Sequence, residues 1–171
     1  MARMVQVPGP RHIEIRRMIP KARLHELSIA QNIVDSVLAE AGSRGAKRVL
    51  ELRINVGELM QIDRKALRFG LKLLLTGPVL GGAQVSLRVR RASFSCRRCN
   101  SEWDMSEAKR QLQKVRPELL VREPESRELP LHFFPYLYAA FIRCPWCGSS
   151  DAEVKDGKDV EIASLVLEGA A

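Results

Sequence analysis

No run of about 18 apolar residues occurs in this 171-residue chain, which excludes a helical membrane span. A secretory leader is missing too. Residues 1–23 hold Pro8, Gly9, Pro10 and Pro20, show no sustained period and contain no continuous apolar stretch. That segment is poor in acid, with Glu14 alone against Arg3, Arg11, Arg16, Arg17, Lys21 and Arg23. It has no serine, which counts against a mitochondrial presequence. Cysteine is scarce at four and histidine at three. With no export signal the thiols are expected to be reduced, in the cytoplasm. The formal charge of +8 points to an acidic partner, a membrane surface or nucleic acid, but +5 of it belongs to residues 1–23. The remaining +3 is modest, so no nucleic acid and no membrane are expected as partners.

All four cysteines stand in two C-x-x-C pairs, Cys96-Arg97-Arg98-Cys99 and Cys144-Pro145-Trp146-Cys147, with 44 residues between them. Two thiolates three positions apart on a tight turn bind one ion from the same side. A second such turn completes a tetrahedron with no open position, the pattern of a structural zinc site. Disulfides and a thioredoxin-like redox pair are the alternatives. The redox pair normally opens a helix after a strand, whereas both pairs here sit in turn-rich stretches. Phe94, Trp103, Phe141 and Trp146 flank the pairs and are expected to form a small core around the ion.

Periodic order begins at Leu24. Leu27, Ala30, Ile33, Val34, Val37, Leu38 and Ala41 share one helical face, which predicts a helix over about 26–42. Leu50, Leu52, Ile54 and Val56 alternate with polar residues in a strand from Arg48 to Val56. Asp63 is an N-cap for a helix from Arg64 to Leu75, with Leu67, Leu71, Leu74 and Leu75 inward. A second strand follows over Gln84–Arg91, with Val85, Leu87 and Val89 inward. A short helix is expected over Ser106–Val115. Asp156-Gly157 reads as a hairpin dipeptide between two further strands, the last of which, Val160–Leu167, is apolar enough to return to the first sheet. The fold class is α/β (α+β): a small mixed sheet with two helices and an inserted zinc-ribbon-like module. The expected domains are 24–92 plus 155–171 for the α/β part and 93–154 for the insert. Residues 1–23 are expected to be a disordered or mis-annotated extension.

Three stretches in order resemble the HypA/HybF family of accessory proteins that mature NiFe-hydrogenases. They are Leu24-His25-Glu26-Leu27-Ser28-Ile29-Ala30, then Arg53-Ile54-Asn55-Val56-Gly57-Glu58-Leu59, then the paired C-x-x-C. The first is similar to the family's amino-terminal Met-His-Glu-Leu-Ser-x-Ala, with leucine where the initiator should be. An upstream start could have been chosen over a leucine-reading start codon at position 24. The long stretch between the cysteine pairs is similar to archaeal members. The resemblance implies a non-enzymatic nickel metallochaperone with structural Zn(2+) on Cys96, Cys99, Cys144 and Cys147. Ni(2+) would be cargo on His25 and nearby backbone nitrogens, with Glu26 beside it. Imidazole and amide nitrogens suit planar Ni(2+), and four thiolates suit tetrahedral Zn(2+). The implied partners are a nickel-binding maturation GTPase and the hydrogenase large subunit, with room for a homodimer. His132, in the insert, is a candidate accessory nickel ligand. The competing reading is a zinc-ribbon nucleic-acid-binding protein that uses Arg88, Arg90, Arg91, Arg97 and Arg98 on phosphate.

Overall fold

The computed structural model describes residues 9–19, 26–60, 62–115, 121–122, 127–128 and 142–170. Its chain falls into two compact units, Met1–Asn55 with Ile62–Arg88 and Val160–Ala171, and Val56–Gln61 with Val89–Asp159. Residues 93–154 lie inside the second, which also takes in the Glu58 turn, residues 89–92 and residues 155–159.

The first unit starts with strand β1 (Arg11–Met18), followed by helix α1 (Glu26–Ser43). Helix α1 buries Ile29, Ala30, Ile33, Val34, Val37 and Ala41. Leu27 and Leu38, expected inward, are instead 57% and 43% exposed. They lie at the margins of the apolar stripe, and Ile29 takes the inward place. Strand β2 (Arg48–Gly57) and a 3-10 turn (Glu58–Met60) lead to α2 (Arg64–Leu74). Asp63 caps α2 as expected, its carboxylate accepting from the amides of Lys65 (2.7 Å) and Ala66 (3.2 Å). Helices α1 and α2 approach closely at Gly70, where an added Cβ would stand 3.2 Å from Ala30 Cβ. After α2, the stretch Thr76-Gly77-Pro78 opens another helical turn, α3 (Gly77–Leu80). Pro sits in its first turn, where a missing N–H costs nothing.

Strand β3 (Gln84–Arg90) is less buried than its alternation predicts, and Val89 is 44% exposed. It is the last strand on its side of the sheet. Beyond it come β4 (Ser93–Cys96), β5 (Glu102–Asp104), α4 (Met105–Val115), a two-residue pair β6 (Val121–Arg122) and β7 (Arg127–Glu128), then β8 (Ala152–Asp156) and β9 (Val160–Glu168). The sheet of the first unit runs β1-β9-β2-β3, and a three-stranded sheet runs β5-β4-β8.

Two expectations are corrected. Strands β8 and β9 are not a hairpin, because β8 pairs with β4 while β9 joins the first sheet, as its apolar length predicts. Asp156-Gly157 therefore turns the chain from one sheet to another. Residues 1–23 are not devoid of structure either, because β1 pairs antiparallel with β9 from Arg11 opposite Leu167 to Met18 opposite Glu161. Ile19 is buried, and its amide donates to Val160 O (2.9 Å). The strand is mostly exposed, so its sequence carries little alternation and its order comes from a partner far along the chain.

Candidate metal centre

The second unit has its own core, including Leu59, Phe94, Trp103, Met105, Ile142 and Val154. Phe94 and Trp103 stack at 5.8 Å between ring centroids, as expected of aromatics flanking the cysteines. Trp146 departs from that expectation at 63% exposed, with its ring 6.3 Å from Trp103. It occupies the middle of the Cys144–Cys147 turn, of which Cys144 is the buried end. Phe141 lies outside the described residues.

The Gly57-Glu58-Leu59 stretch anchors this unit. Gly57 donates to Asp159 O (2.8 Å), and Leu59 donates to Gly157 O (2.9 Å). A Cβ on Gly57 would fall 2.4 Å from Gly157 O, so only glycine fits. Glu58 Oε2 accepts from the amide of Ala92 (2.9 Å), and Leu59 is buried in the core. The motif is thus a backbone clasp with an apolar plug, and Glu58 satisfies an amide that would otherwise be buried unpaired.

The four cysteines converge, with sulfur atoms all within 4.8 Å of one another. Cys96 is 3.6 Å from Cys147, and Cys99 is 3.5 Å from Cys144. The two turns are built alike. The amide of Asn100 donates to Cys96 O (2.8 Å) and that of Gly148 to Cys144 O (3.0 Å). The amide of Cys96 donates to Ser101 O and that of Cys144 to Ser149 O, both at 2.9 Å. Asn100 and Gly148 hold the matching positions at φ 57° and 70°. Glycine takes that conformation freely and asparagine with little penalty. One cysteine of each pair is buried (Cys96, Cys144) and one exposed (Cys99, Cys147).

Ser101 is a participant that spacing alone did not reveal. Its hydroxyl lies 3.1 Å from Cys99 Sγ and 3.2 Å from Cys144 Sγ. Burial opposes ionisation of Cys144, but the Ser101 hydroxyl and the amides of Cys147 and Trp146 outweigh it and bring the thiol down to about 6. The Ser101 hydroxyl and amide lower Cys99 as well. At Cys147 the Ser149 amide favours the thiolate, yet burial and the neighbouring sulfurs push it up to about 12. Four thiols in mutual contact cannot all ionise without a cation among them. The donor set therefore offers four sulfur ligands to one metal ion, with no other residue type in the cluster.

The second candidate location is the start of α1. Glu26 is its first residue, where the helix dipole favours an acid. Its Oε1 accepts from the amide of Asp63 (3.3 Å), so the two helix N-termini meet there. His25 and His132 lie outside the described residues. No helix among the described residues is long and apolar enough to cross a membrane.

Comparison with known proteins agrees with the resemblance drawn from the motifs. The family profile described as "Hydrogenase/urease nickel incorporation, metallochaperone, hypA" matches residues 24–167. The hydrogenase maturation factor HypA of Pyrococcus horikoshii is 35% identical over 145 residues, which span 85% of this chain and 96% of that protein. That of Methanopyrus kandleri is 31% identical over 155 residues, 85% of this chain and 94% of the relative. The solution structure of the Ni metallochaperone HypA from Helicobacter pylori shares the fold with a TM-score of 0.51 at 13% identity, covering 83% of this chain and 96% of that one. The two-unit architecture, the four-sulfur cluster and the match from Leu24 onward thus converge, and the chain belongs to the HypA family of hydrogenase and urease nickel-incorporation metallochaperones.

Proposed function

We propose that this chain carries Ni(2+) at the start of α1 and hands it to a hydrogenase large subunit with the help of a nickel-binding GTPase. It acts in the cytoplasm and without catalytic turnover. His25 and the backbone nitrogens beside it are the ligands, and Glu26 stands next to them. His132 is an accessory ligand in this reading. The first unit is the nickel domain and the second the zinc domain. The observation that carries the nickel assignment is the fixed Glu26, held by the Asp63 amide at the residue after His25. It gives the motif a defined place at the junction of two helices rather than a free end.

The second unit holds Zn(2+) on Cys96, Cys99, Cys144 and Cys147. Zinc–sulfur bonds of ~2.3 Å in a tetrahedron place sulfur atoms ~3.8 Å apart, close to the 3.5 and 3.6 Å contacts of the cluster. When bound, the ion supplies the positive charge that lets all four thiols ionise, and so closes the fold. Its role is structural, because four cysteines leave no open position. The nucleic-acid reading is not favoured. Arg90 is ion-paired to Asp156 (2.6 Å) and Arg97 to Glu153 (3.0 Å), which neutralises part of the basic run.

Calorimetric titration of nickel into the full chain and into His25→Ala tests the nickel site, with zinc content measured on the same samples. The tight nickel event should vanish in His25→Ala while zinc stays at one per chain. Unchanged nickel binding in that variant would remove the start of α1 as the cargo site.

A further inference from the structure

Strand β1 precedes the stretch that matches the family, residues 24–167, and yet it pairs along β9. Protein edges are normally kept from pairing with other chains by lysine or arginine, proline, bulges or shortness. Strand β9 has none of these devices. It runs nine residues, Val160–Glu168, with no proline, no glycine and no charge between Glu161 and Glu168. Strand β1 has several. Arg11, Arg16 and Arg17 lie along it, Pro10 precedes it, and the register slips between Glu14 and Arg17 with Arg16 at φ 50°. The devices that blunt an edge are on β1, and the apolar run that needs blunting is on β9.

We propose that the β9 edge is a self-association surface, that the partner it fits is the β9 edge of a second copy of this chain, and that β1 holds it closed. The fit follows from the sequence of β9. An antiparallel two-fold pairing centred on Ser164 sets Ile162 opposite Val166, Ala163 opposite Leu165, Glu161 opposite Leu167 and Val160 opposite Glu168. No like charges oppose one another, Ser164 meets its own copy, and the apolar residues on either side of it pair with one another, as an isologous interface requires. Its sense is the antiparallel sense that β1 already adopts. Arg17 also reaches Glu40 of α1 (3.9 Å), a contact that helps hold β1 in place. A tethered strand acts at an effective concentration of the order of millimolar. At ~50 μM protein a second copy is therefore outcompeted about twentyfold at each edge, even where the pairings are equally strong.

The test compares the full chain with the double variant His12→Pro/Ile13→Pro by sedimentation velocity from 1 to 100 μM. Adjacent residues of a strand direct their amides to opposite sides, so one of the two substitutions removes a β1–β9 hydrogen bond whichever side it faces. The wild-type chain should remain monomeric over the whole range. The variant should dimerise within it, at least tenfold more tightly than wild type, with unchanged zinc content. A synthetic peptide of residues 9–19 at 1 mM should return it to monomer. As a second arm, a protease site placed after Ile19 allows the chain to fold whole, be cut, and be separated from the fragment 1–19. The cut protein should dimerise in the same way. A separated cut protein that stays monomeric at 100 μM overturns the proposal. So does a wild-type chain that dimerises with the same midpoint, or a dimer that the peptide does not dissociate.

Discussion

Replacement of Gly57 by alanine probes the backbone clasp of the second unit. The added Cβ would lie 2.4 Å from Gly157 O, 2.6 Å from its carbonyl carbon and 2.8 Å from the Asp159 amide nitrogen. All three are backbone atoms, so no side chain can swing aside. Relief requires a displacement of roughly 1 Å to reach ordinary contact. That shift disrupts two backbone hydrogen bonds, Gly57 to Asp159 O and Leu59 to Gly157 O. A buried donor left unpaired costs about 1–3 kcal/mol, and partial withdrawal of Leu59 from the core adds about 1 kcal/mol. With two donors affected the expected loss is about 3–7 kcal/mol, a large part of the stability of a small unit. Both tryptophans of the chain, Trp103 and Trp146, belong to this unit, so fluorescence during urea unfolding at fixed free zinc reports on it alone. Gly42→Ala is the control. It lies in α1 with nothing within 4 Å of its added Cβ, and should stabilise the first unit by a few tenths to about 1 kcal/mol. A loss below about 1 kcal/mol in Gly57→Ala would refute the close approach as the reason for glycine there.

Cys99→Ala and Cys147→Ala should each release zinc and lower the stability of the second unit, read by metal analysis and by the urea midpoint of tryptophan fluorescence; retention of one zinc per chain in either would break the four-ligand assignment. In the metal-free protein the Cys144 thiol is held near 6, below its ordinary 9.0, so the folded state favours its thiolate. That contribution is complete above about pH 9, shrinks as pH falls and is gone below about pH 6. Absorbance at 240 nm should show one thiolate forming near pH 6, and Ser101→Ala should move that step upward; an unmoved step would absolve the hydroxyl. Asp63→Ala removes a cap that accepts from two amides and should cost about 1 kcal/mol in the first unit by circular dichroism. Helical signal and midpoint both unchanged would show the cap to be idle.

The periodic parts of the chain were legible because one residue type repeats at one spacing. The stripe of α1 and the Asp63 cap of α2 depend on neighbours a few positions away, and both appear where the sequence puts them. The cysteine cluster was legible for a different reason, since thiolate chemistry at C-x-x-C spacing has few structural outcomes. Ser101 was legible only by comparing the turns, since it stands two places after Cys99 as Ser149 does after Cys147. Asn100 could have been read by laying one cysteine turn over the other, which puts it in the place of Gly148. The pairing of β1 with β9 and the separation of β8 from β9 are decided by contacts between distant segments. Local alternation carries no record of the first, so β1 read as structureless; the apolar length of Val160–Leu167 did return β9 to the first sheet, and only the Asp156-Gly157 dipeptide suggested a hairpin with β8.

The place of β9 between β1 and β2 fixes an order of events during synthesis. Both neighbours are made early, and β9 is made only after the whole second unit has left the ribosome's decoding centre. Roughly 100 residues separate the end of β2 from the start of β9, which at about 5–20 residues per second is a wait of about 5–20 s. During that interval the four sulfurs become complete at Cys147, while β1 and β2 still lack the strand between them. The sulfur set is thus synthesised before the strand that joins β1 to β2. A chain halted between Cys147 and Val160 would hold all four sulfurs and still leave β1 without the strand it pairs with.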